Sequence, residues 1–154
     1  MSILKVDTIN EKTSGNGVQI AGHVVQVVQG TSTSYLVLGS NNTHVDTGLT
    51  PTITPKSASS KILILHSSAI LGTATHDIIL RLLRGSTNIH NLNFWSDNSN
   101  YTFMTGAFQY LDSPSTTSAT TYKTQVYKNQ NDLLYNYVNE VTSKSTLTLM
   151  EIAQ

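Results

Sequence analysis

TPKSASSKILILHSSAIL, residues 54–71, decides how the chain is read. Its first seven residues, Thr54 to Ser60, have the Pro and Ser chemistry of a turn. From Lys61 the composition switches to a strand-like run in which Ile62, Leu63, Ile64 and Leu65 follow one another without a polar residue. An antiparallel strand with one wet face alternates apolar and polar positions, and this one does not. One face is therefore expected in a core and the other against something else, most simply another copy of the chain. Leu147 to Ile152 is nearly continuous in apolar residues as well, and together the two runs predict a homotrimer. His66 interrupts the first run and needs a hydrogen-bond partner there.

Outward from this stretch, short β-type runs alternate with turns. Strands are expected near Tyr35–Leu38, Val45–Thr54, Lys61–Leu71, Asp77–Arg84, Thr87–Trp95, Tyr101–Leu111, Thr121–Tyr127, Leu133–Val138 and Ser145–Ala153. Arg84-Gly85-Ser86, residues 96–100 and Asp112-Ser113-Pro114 are connectors of the right chemistry. Turns every 8 to 12 residues or so mark an all-β, antiparallel sandwich or jelly roll. Ile78 to Leu83 has some helical character, but Gly85 ends it too early for a helix.

The first 30 residues differ in character. VDTINEKTSGNGVQIAG, residues 6–22, spaces its glycines at 15, 17 and 22, which breaks the G-x-G-x-x-G order of a dinucleotide loop. The run after it, His23 to Val28, is rich in β-branched residues and opens no helix. The reading is a hairpin, Ile3–Ile9 and Val18–Val28, turning at Ser14-Gly15-Asn16-Gly17. Two strands alone are marginal in water, so Ile3, Val6, Ile9, Val18, Ile20, Val24, Val25, Val27 and Val28 are expected to pack on neighbouring chains. Residues 1–30 are thus assigned to attachment and oligomerisation, and 31–154 to a sandwich head.

Composition narrows the partners. Nine basic and nine acidic side chains give zero net charge, and only 12% of residues are charged. With no basic stripe there is nothing to release counterions from a nucleic acid, which is not an expected partner. Ser and Thr make up roughly a quarter of the chain, far above ordinary usage, so the surface is hydroxyl-rich. Without cysteine there is no disulfide or thiolate metal site. No run approaches the ~18 apolar residues of a membrane span, and the N-terminus lacks the pattern of a signal peptide.

Chemistry-bearing motifs are sparse. Histidines at 23, 44, 66, 76 and 90 share no metal-ligand spacing, so no metal or other cofactor is expected. The acids are spread evenly, and no pair is placed for glycoside hydrolysis. G-x-S-x-G is missing, and no catalytic residue is assigned. The suggestive constellation is aromatic: Phe94, Trp95, Tyr101 and Phe103 flank the polar loop 96–100. Aromatic faces beside amides and hydroxyls stack on sugar rings and also suit protein interfaces. Trp95, Ser96, Asp97, Asn98, Asn100 and Tyr101 are therefore the candidate contacts for a host-surface glycan or protein, against the blander reading of Trp95 as core. Tyr122, Tyr127, Tyr135 and Tyr137 read as cross-strand pairs.

Several stretches together resemble a family. HVDTGLTPTITPKSASSKILIL (44–65), LRLLRGSTNI (80–89), FQYLDSPSTTSATTYKTQVY (108–127) and STLTLMEIAQ (145–154) look like the small tail-fibre or virion structural proteins of marine and cyanobacterial bacteriophages. ILKVDTINEKTSGNGVQIAG (3–22) is similar to the attachment segments preceding such heads. The resemblance implies a β-rich, homotrimeric virion appendage, joined to other virion proteins by its N-terminal segment and meeting the host with its head. It brings no catalytic residues. The missing long shaft keeps a capsid decoration protein or head fibre as the rival, and a free carbohydrate-binding module as a third reading.

Overall fold

Strands form where β-branched and large apolar residues recur without helical spacing, and they end where Pro, Gly, Ser and Asn gather. The computed structural model describes residues 8–10, 20–38, 43–73, 76–96, 101–128, 133–135, 137–138 and 141–154, a few of them at strand ends and between 133 and 142 by backbone alone. The strands are β1 (Val24–Ser32), β2 (Leu36–Leu38), β3 (Val45–Asp46), β4 (Thr52–Ile53), β5 (Lys61–Thr73), β6 (His76–Arg84) and β7 (Thr87–Ser96). They continue as β8 (Tyr101–Asp112), β9 (Thr120–Lys128), β10 (Leu133–Tyr135), β11 (Tyr137–Val138), β12 (Val141–Thr142) and β13 (Ser145–Ile152). Among the described residues there is no helix; Ile78 to Leu83 is extended within β6.

β5 organises the first sheet. β8 pairs along it from Ile62 opposite Asp112 to Thr73 opposite Tyr101. On its other side β13 covers Lys61 to Ser67 and β10 covers Ile70 to Gly72. β1 flanks β13, and β2 flanks β10. Because β1 and β2 run in the same direction, as do β10 and β13, this sheet is four positions wide: β8, β5, β10/β13, β1/β2. The second sheet reads β7, β6, β9, β3/β4, again antiparallel. Numbering the eight positions along the chain gives orders 6-3-8-1 and 5-4-7-2. That is the strand order of a jelly roll, two interlocked Greek keys closed face to face. The small β11–β12 hairpin leaves between β10 and β13.

Inward positions of the two sheets make the core. Leu49, Ile53, Ile62, Ile64, Leu82, Tyr122, Leu147 and Leu149 fill one half. Leu38, Ile70, Ile78, Leu80 and Val126 fill the other, and Phe108 packs against both. Between Ile64 and Ile70 the inward positions of β5 are His66 and Ser68, so a polar step divides the two clusters. Gly106 faces this step. A Cβ there would come within 2.8 Å of both Ile70 Cδ1 and Ser68 Oγ on the neighbouring strand β5 and 3.3 Å of Leu80 Cδ2 on the facing sheet, so any larger residue would have to displace these side chains.

The structure moves several expected boundaries. Val45–Thr54 is two bridges, β3 and β4, separated by residues 47–51, within which Thr47, Leu49 and Pro51 still bond to β9. The expected strand Val18–Val28 is described as β1, starting at Val24 and running on to Ser32. The division at residue 30 therefore cuts through a strand that is paired with β13 along its length. Gly30 is not a linker residue: β1 passes so close to Pro51 that a Cβ at position 30 would lie 2.8 Å from its Cδ. Val28 packs into the chain's own core rather than onto a neighbour. Ile9, Ile20, Val24 and Val27 are exposed, whereas Ile3, Val6, Val18 and the turn at 14–17 lie outside the described residues.

Candidate functional site

The strand directions give the sandwich two distinct ends. β5 starts beside the start of β1 and the end of β13, so the chain enters at the end where β5 begins. The connections 54–60, 85–86 and 113–119 share that end. β5 finishes where β7 hands over to β8 through residues 97–100 and where β9 hands over to β10. At about 3.3 Å per residue, the 13 residues of β5 set the two ends about 40 Å apart.

Trp95 sits at the second end, on β7 opposite Asp77 of β6. It is 65% exposed, so the reading of this tryptophan as core is set aside. Strand alternation splits the expected aromatic cluster. Phe94 turns inward onto the Ile70–Leu80 cluster, while Trp95 turns out from the second sheet. Phe103, 57% exposed, belongs to the first sheet, where it pairs with Leu71. Ser96 and Tyr101 are placed by backbone pairing, to His76 and Thr73 respectively. Asp97, Asn98 and Asn100 lie outside the described residues.

On the same outer face, four residues along β6 from the Asp77–Trp95 pair, a polar network starts at Arg81. Arg81 donates through Nε and Nη2 to Gln125 Oε1, and Gln125 Nε2 donates to Asp46 Oδ1. Lys123 pairs with the same carboxylate at 3.2 Å. Partial burial raises the Asp46 carboxyl, but the bonds from Gln125 and Lys123 and the nearby cations outweigh it and hold it below its usual range. The His44 ring lies 4.9 Å from that of Tyr127, and burial, then the Arg81 charge, lower its pKa.

Two buried carboxylates fix the end where the chain enters, and sequence spacing gave no sign of either. Asp112 accepts two bonds from Arg84 Nη1, each 3.0 Å, and one from the Tyr122 hydroxyl at 2.6 Å. Burial, then this carboxylate, push the Tyr122 phenol upward, so it stays a donor. Tyr122 sits opposite Arg84 across the β6–β9 ladder, and its ring is fully buried in the core. Among the described residues, no cation pairs with Glu151. It accepts from the backbone N–H of Lys56 at 2.8 Å and of Ser57 at 3.4 Å, and from Gln26 Nε2 at 2.6 Å. Gln26 also donates to the Thr54 carbonyl, so the TPKSASS connection is held by side chains from β1 and β13.

The partner that the sequence demanded for His66 is Ser68, whose Oγ is 3.1 Å from Nε2 and itself donates to the Gly106 carbonyl. The ring stacks on Phe108 at 4.9 Å. Burial pushes the imidazole down to about 4, against a smaller opposing effect of the Thr146 backbone. His66 is therefore neutral at ordinary pH. Among the described residues, no three His, Cys, Asp or Glu side chains come together as a metal site, and the depressions beside β5 and β8 are shallow.

No family model matches the chain, and no curated protein matches it. Among solved structures it is similar to one described as the structure of infectious bursal disease virus Gx strain. The identity is 14% and the TM-score 0.41, over 96% of this chain and 42% of that one. The chain thus spans less than half the length of that structure's chain, and at this level the likeness carries no argument about function.

Proposed function

We propose that the chain is a structural protein of a bacteriophage virion, a short tail-fibre or adhesin-like appendage that contacts the host surface. The observation that carries this reading is the two-ended sandwich. Its N-terminal segment enters at one end, and the loop 97–100, flanked by exposed Trp95, joins strands at the other. A rigid β-scaffold of about 40 Å holds anchor and contact apart. Jelly rolls serve viral capsid and lectin domains alike, so the assignment rests on the placement of these features rather than on the fold. In this reading residues before β1 bind another virion protein, the copies form a homotrimer, and the protein has no catalytic role. Trp95 and Tyr101 stack on a sugar ring or a protein side chain of the host, while Ser96, Asp97, Asn98 and Asn100 supply hydrogen bonds.

Adsorption of particles carrying Trp95→Ala tests the contact, alongside imaging of the intact particle. Because Trp95 is mostly exposed, the substitution is expected to change stability by no more than about 0.5 kcal/mol while slowing adsorption. Normal adsorption by Trp95→Ala and Tyr101→Ala particles, with the protein imaged over the capsid lattice, would overturn the fibre reading in favour of decoration.

A further inference from the structure

The two outer faces of the sandwich differ in charge. The β7-β6-β9-β3 face bears Asp46, Asp77, Arg81 and Lys123. Among the described residues, the outer face of the β8-β5-β13-β1 sheet bears one charge, Lys61 at its margin. Across this second face the register aligns one apolar residue from each strand: Leu111 opposite Leu63, Leu63 opposite Met150, and Met150 opposite Val27. The two ends of the row are open, Leu111 being 49% and Val27 55% exposed. The neighbouring row, Gln109, Leu65, Thr148 and Gln29, is two amides, a hydroxyl and one leucine, with Gln29 donating to Thr148.

We propose that this face is where copies of the chain pack on one another, with the Leu111–Leu63–Met150–Val27 row at the centre of the contact. The inference rests on the self-association in the functional reading above, and it names the surface. Charge selects the occupant. A charged partner finds only Lys61, at the margin, to pair with, so it would strand its charges over the rest of the contact. A second copy brings the same nearly uncharged surface, and its amides and hydroxyls both donate and accept, so they can satisfy one another. Four strands about 4.8 Å apart and seven residues at about 3.4 Å each make a face of about 450 Å² in projection. An exposed apolar row rimmed by polar side chains is what an interaction site presents.

Light scattering at micromolar concentration tests this with the whole chain and with Leu111→Glu, Val27→Glu and Asn93→Glu. Both row positions are about half exposed in the single chain, so a glutamate there is hydrated before assembly and the fold is kept, which circular dichroism checks. The unaltered protein is expected to be oligomeric, and each row substitution to weaken assembly about 100-fold or more, as an unpaired charge in an interface does. Asn93→Glu, on the opposite face, leaves the mass unchanged. Because the chain has no cysteine, Leu111→Cys supplies a second readout: mild oxidation should link copies faster through it than through Asn93→Cys. An oligomer that persists in both folded row variants, or equal cross-linking from the two faces, overturns the face assignment and leaves self-association standing. A monomeric unaltered protein overturns both.

Discussion

His66 is the residue whose environment departs most from its sequence context. It occupies an inward position on β5 between two apolar clusters and stacks on Phe108. Its pKa falls from 6.5 to about 4 on folding, so the folded state favours the neutral ring. The contribution is complete above about pH 6.5, where both states are neutral. It is lost as the pH falls toward 4, because the unfolded chain takes up the proton first. The loss amounts to roughly 3 kcal/mol across that window. His66→Gln keeps a polar group beside Ser68 and removes the titration, so urea unfolding of this variant between pH 7 and 4 should show a flatter decline than the parent. An unchanged slope would mean that other groups dominate acid unfolding.

At the scale of elements, side-chain bonds tie together strands that no ladder joins. Asp112 closes β8 of the first sheet, whereas Arg84 and Tyr122 sit on β6 and β9 of the second, so their bonds clamp the two sheets at one end. Tyr122→Phe removes one bond to a buried carboxylate and should cost about 2 kcal/mol, measured by denaturant unfolding. Arg84 is partly exposed, so its pair with Asp112 is screened by solvent and contributes less than its geometry suggests. Glu151 does for β13, β1 and the 54–60 connection what Asp112 does for the sheets, with backbone N–H groups in place of a cation.

For the whole molecule, the boundary of the head follows from β1. Removing residues 1–19 leaves β1 intact, and the remainder is expected to melt within about 0.5 kcal/mol of the full chain while no longer joining the particle. Removing residues 1–30 strips most of β1, taking Val28 from the core and Gln26 from Glu151. That should lower stability by about 3 kcal/mol or more and expose the β13 edge to aggregation. Thermal melts of the two truncations, read beside particle composition, separate attachment from folding. Normal incorporation of the shorter truncation would refute attachment through this segment.

Runs such as Ile62–Leu65 and Leu147–Ile152, punctuated by Pro, Gly, Ser and Asn, determined an all-β antiparallel chain and placed β5 to β9 and β13 to within one or two residues. Local patterning suffices there, because apolar content and turn chemistry act on neighbours along the chain. They also called for a buried partner to His66. What only the tertiary structure decided is where strands distant in sequence meet: the jelly-roll order, β1 as the neighbour of β13, and the two carboxylate clamps. Asp112 and Tyr122, or Glu151 and Gln26, share no spacing that marks them as pairs, since their contact depends on sheet closure. The outward turn of Trp95 is of the same kind. Alternation sets it opposite to Phe94, but which of the two meets the core is chosen by the face that Leu80 and Ile70 bury.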